Sequence, residues 1–127
     1  MSYGSASYGS AAIGGAAASL WFIFFPMSPI VARDPDVLYE SRLNYSGTGL
    51  FSVFTRQGSE PTSGSSGVLY KIYTSNDPDE TPQLQATQEG DGQNVIPAAQ
   101  FITVTAEING TIWAGGQFFE VRGRAGD

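Results

Sequence analysis

At 127 residues and 13.5 kDa the chain has the length of one domain, enough for a modest core without covalent staples. It holds no Cys and no His, which removes disulfides, thiolate metal sites, sulfur nucleophiles and imidazole bases. A net charge of -6, with six bases spread along the chain, opposes the phosphate-neutralising surface that nucleic acid requires, and acid/base work would rest on carboxylates alone. Neither a nucleic-acid partner, nor an enzyme, nor a cofactor is expected.

Residues 1–32 carry no charged side chain, and all twelve acids and six bases follow them. Ser2 to Ala6 and Ser7 to Ala11 repeat a Ser/Tyr/Gly/Ser/Ala unit that favours no helix and anchors no core, so alone in water it should be flexible. The densest aromatic cluster comes next, from Leu20 to Phe25, ahead of Pro26 and Pro29. An uncharged segment of this kind needs a surface to be buried against. The expectation is an extended N-terminal arm over residues 1–32 and a β-domain over 33–127. Tyr3, Tyr8, Leu20, Trp21, Phe22, Ile23, Phe24 and Phe25 are the candidate subunit-interface residues, packing on a neighbour as aromatic anchors do. The alternative is a bilayer span over residues 11–32, which has the length but is interrupted by Gly14, Gly15, Pro26 and Pro29, with Arg33 immediately neutralised by Asp34.

Arg33 to Asp36 reads as the turn into the domain. Val37 to Tyr45 alternates, with Val37, Tyr39, Leu43 and Tyr45 on one face and Glu40, Arg42 and Asn44 opposite, which predicts a strand covered on one side. Leu38 breaks the pattern. Leu50 to Thr55 is a second predicted strand, with a partner expected upstream. Gln57 to Gly67 lacks apolar residues and reads as a loop. Val68 to Thr74 predicts a third strand with Val68, Tyr70 and Ile72 on one face. Asn76 to Pro82 is an acidic turn, Leu84 to Thr87 a weak strand, and Glu89 to Gly92 another turn. Phe101 to Ile108 alternates strongly, and Asn109-Gly110 predicts a two-residue hairpin pairing it with Thr111 to Ala114, so that Ile102, Val104, Ala106, Ile108 and Trp113 share a core face. Gln117 to Arg122 is the last predicted strand and Gly123 to Asp127 a tail. Six or seven short strands with frequent turns and few helical signals predict an all-β fold, an antiparallel β-sandwich or jelly-roll-like domain.

Four constellations bear on chemistry. Asp77, Asp79 and Glu80 concentrate oxygen ligands and are calcium candidates, but their spacing matches no EF-hand and solvated acidic turns are commoner. Glu107 and Glu120, expected on neighbouring strands, form a carboxylate pair of the kind glycoside hydrolysis uses, though nothing marks a cleft. Asn44 to Ser46 and Asn109 to Thr111 fit the glycosylation sequon, the second being better explained by its turn. Tyr70, Tyr73, Trp113, Phe118 and Phe119 are candidates for a sugar-stacking platform, although strand aromatics are more often core.

A Gly/Ser/Ala arm, an aromatic plug and a small acidic β-domain without Cys or His resemble the small structural proteins of bacteriophage particles. The run from Tyr73 to Pro78, a strand leaving into an acidic turn, is similar in style to the β-domains of virion surface and tail components. The resemblance implies a virion structural protein: a head-decoration (cement) protein or a tail component, whose partners are its own copies, as a trimer or ring, and other virion proteins. A membrane-anchored β-domain and a carbohydrate-binding surface module are the competing readings.

Overall fold

The computed structural model describes residues 20–30, 37–58, 67–108 and 118–127. Within them lie eight strands: β1 (Phe22–Pro29), β2 (Val37–Asn44), β3 (Leu50–Gly58), β4 (Leu69–Ser75), β5 (Gln83–Glu89), β6 (Gly92–Pro97), β7 (Phe101–Ile108) and β8 (Phe118–Ala125). They form two four-stranded antiparallel sheets, ordered β1-β8-β3-β6 and β2-β7-β4-β5. The pairs β1·β8, β2·β7, β3·β6 and β4·β5 are those of one long antiparallel ribbon folded back on itself, with successive pairs falling on alternate sheets. That winding is the jelly roll, in which eight strands wrap as two Greek keys around one core.

Period-two alternation builds the core from both sheets. Tyr70 and Ile72 on β4 and Ile102, Val104 and Ala106 on β7 point inward from one sheet, facing Phe51 and Val53 on β3 and Val121 on β8 from the other; all are fully buried. Aromatic rings fill the end nearest β1: Phe51 meets Tyr45 at 4.9 Å between centroids and Phe24 at 6.3 Å, both edge to face. Gly123 makes room for them, since a Cβ there would stand 2.5 Å from the Phe51 ring and 3.0 Å from that of Phe24. Across the core, the Tyr70 hydroxyl donates to the Arg56 carbonyl at 2.9 Å and ties the two sheets together. Burial first, and the Asp91 and Glu120 charges second, push that phenol above its ordinary value.

Several expectations are corrected. Phe22–Pro29, expected as part of the arm, is an edge strand of the domain, hydrogen-bonded to β8. Its register shifts between Ile23 and Phe25, so one extra residue turns the consecutive rings of Phe24 and Phe25 both inward. They are 5% and 8% exposed, and therefore serve this subunit's own core. A helix spanning residues 11–32 is incompatible with that strand, and among the described residues no helix is long and apolar enough to cross a membrane. β3 pairs with β6 and β8, both downstream. The first of these, Gly92–Pro97, has too weak an alternation to be read as a strand, while Gly123 to Ala125, expected as tail, continues β8. Ile102, Val104, Ala106 and Ile108 share the core face as expected. The Asn109-Gly110 hairpin, Trp113, Tyr3 and Tyr8 lie outside the described residues.

Candidate functional site

The outward side of the β1-β8-β3-β6 sheet gathers the features that a packed core leaves over. Once Phe24 and Phe25 turn inward, the outward residues of the same segment are Leu20, Trp21, Ile23 and Met27, at 69%, 42%, 54% and 59% exposure. Water does not favour so many large apolar groups on one edge, and such patches mark contact surfaces. The register sets Ile23 beside Arg122, Arg122 beside Phe54, and Phe54 beside Gln93, a row that crosses all four strands. Trp21 packs edge to face on Phe54 at 5.2 Å. The Arg122 and Arg124 guanidinium carbons stand 5.0 and 5.4 Å from the Trp21 ring centroid, and Arg124 also covers Phe54 at 5.2 Å.

Charge on this face runs opposite to that of the chain as a whole. Arg56, Arg122 and Arg124 share this face with one carboxylate, Glu120, whose Oε1 lies 3.2 Å from Arg56 Nη1 and 3.9 Å from Arg122 Nη2. Both arginine side chains stay about half in water, so the pairs add little to stability. Arg56 also covers the Phe118 ring at 5.1 Å. The surface is thus a basic and aromatic sheet face whose ring faces are already capped by guanidinium groups. It is suited to contact a protein surface more than to stack a flat ligand.

The other candidates are dispersed by the fold. Glu107 on β7 and Glu120 on β8 belong to different sheets, so the expected carboxylate pair does not form. The sugar platform dissolves as well: Tyr70 and Phe119 are core residues, Tyr73 lies on β4 of one sheet and Phe118 on β8 of the other. In the acidic turn the oxygens serve the turn's own backbone. The Asp79 amide donates to Asp77 Oδ1 at 2.8 Å, the Asn76 amide to Glu80 Oε1 at 2.9 Å, and the Glu80 amide to the Asp77 carbonyl at 3.0 Å. Among the described residues no three acidic groups converge as a metal would need. Of the expected interface residues, Leu20, Trp21 and Ile23 face outward, Phe22 is half-buried beside Tyr45, and Phe24 and Phe25 are internal.

Phe54, Arg122 and Arg124 were not legible as a site, since Phe54 read as ordinary strand and Arg124 as tail. The signal was present in Arg122-Gly123-Arg124, where two arginines spaced by two must share a strand face. No family model, curated protein or solved structure matches the chain.

Proposed function

We propose that this chain is a structural component of a particle of the bacteriophage virion kind, held in place through the outward side of β1 and the basic aromatic face beside it. The observation that carries the reading is the split of one apolar segment into an inward half, Phe24 and Phe25, and an outward half, Leu20, Trp21, Ile23 and Met27. The inward rings anchor the segment to its own subunit. The outward ones, continuous in sequence with the uncharged residues 1–19, offer apolar area to a neighbour. Covering the exposed half of each is worth about 1 kcal/mol apiece, and repetition around a closed symmetry makes such small terms sufficient. The jelly-roll winding suits this role, since capsid domains use it.

The test is assembly of the full chain with Ile23→Lys and Met27→Glu introduced together. Sedimentation should show loss of the larger species while circular dichroism and the thermal midpoint stay near those of the parent. Unchanged assembly in that variant would remove the basis for the reading.

A further inference from the structure

The four edge strands are not equivalent. β1 carries Pro26 and Pro29 and two register shifts, β5 pairs with β4 across a shift at Ile72/Tyr73, and β6 is six residues long and ends in Pro97. Each has a feature that discourages a further strand. β2 lacks these: Val37–Asn44 contains no Pro or Gly and runs in unbroken register along β7, and its two edge charges, Glu40 and Arg42, are of opposite sign. Its inward-facing side is incompletely covered, with Tyr39 still 41% exposed, while Leu38 on the outward side is 66% exposed. Glu40 makes no ion pair among the described residues, and across the sheet it lies beside Thr105, which separates it from Lys71.

We propose that β2 pairs with β2 of a second copy, antiparallel about a two-fold axis at Ser41, joining two four-stranded sheets into one of eight. The sequence is self-complementary in that register. Glu40 falls opposite Arg42 of the second copy, and Arg42 opposite Glu40, giving two charge pairs on the outward side. Tyr39 falls opposite Leu43 twice on the inward side, closing the half-covered mouth of the core. Leu38 meets Asn44, and Ser41 meets itself. Opposed charges and aromatic–aliphatic pairs are the cross-strand combinations that stabilise an antiparallel ladder, and like charges directly opposite destabilise it. An isologous contact of this kind closes on itself as a dimer. The proposal stands on β2 alone and goes beyond the assembly reading above, which rests on β1.

Charge exchange in the full chain tests it. Glu40→Arg alone and Arg42→Glu alone each set like charges opposite in both pairs, and each should weaken self-association by roughly ten- to a hundredfold in sedimentation equilibrium. The double variant Glu40→Arg/Arg42→Glu should restore it, and mixing the two single variants should give a heterodimer, because their charges are then complementary. Circular dichroism confirms that each variant is folded. A parent chain that stays monomeric even at millimolar concentration overturns the pairing. So does an oligomer indifferent to both single substitutions, or a double variant that fails to recover. The Ile23→Lys/Met27→Glu variant keeps the β2 pair, so failure here is distinct from failure of the β1 contact.

Discussion

Truncating Phe24 separates a residue of this subunit's core from a residue held by a neighbour. Its ring is 5% exposed and packs edge to face on Phe51 at 6.3 Å, over the space left by Gly123. Losing the transfer energy of a buried aromatic gives about 2–3 kcal/mol, and the cavity left between Phe51 and β8 raises Phe24→Ala to about 3–5 kcal/mol. Against a total stability of about 5–15 kcal/mol, that lowers the thermal midpoint by about 10–20 °C. Ile23, the adjacent residue, is 54% exposed, and Ile23→Ala should cost less than about 1 kcal/mol. Urea unfolding of both variants, followed by tyrosine and tryptophan fluorescence at a concentration where the parent is dispersed, reads the difference. If Phe24→Ala unfolds at the same urea concentration as the parent, β1 is not part of the domain, and the packing derived for it is wrong.

Further outcomes follow from individual contacts. Gly123→Ala should destabilise by about 1–3 kcal/mol, because the new methyl overlaps the Phe51 and Phe24 rings; Gly123→Ala combined with Phe51→Leu should recover part of that in the same urea assay. Tyr70→Phe should cost about 1 kcal/mol at neutral pH, from the hydrogen bond to the Arg56 carbonyl. Because the folded-state pKa of Tyr70 lies above the unfolded value of about 10, the unfolded state releases its proton first as pH rises, so stability is full below about pH 10 and falls above it; Tyr70→Phe should flatten that alkaline slope in thermal scans. Adding calcium or a chelator should leave the midpoint unchanged, since the Asp77 and Glu80 oxygens already accept the turn's amides, whereas Asp77→Ala should loosen the turn and speed amide exchange at Asp79.

Much of the sandwich was readable where side chains alternate cleanly. β2, β4 and β7 were placed within a residue or two, and the core face of β7 was named correctly, because a half-buried strand writes its burial into every second residue. β6 escaped because Gln93, Val95 and Pro97 face outward around a single buried anchor, Ile96. β1 was misjudged for the opposite reason. Its bulges break the period of two, so its consecutive aromatics resemble a segment sold short of a fold, when in fact both faces of the strand are in use. The site suffered most, because Trp21 just ahead of β1, Phe54 on β3 and Arg122 on β8 are far apart in sequence.

What the sequence determines by itself is local: which stretches are extended, which side of each faces the core, where turns fall, and that no Cys or His chemistry is available. Only the tertiary structure decides which strands become neighbours, that Glu107 and Glu120 part to different sheets, and that β1 joins β8 at the far end of the chain. The reason is physical. Alternation is enforced residue by residue by the pleat, whereas strand order is a choice among long-range closures, made by the total apolar area that the two sheets bury together.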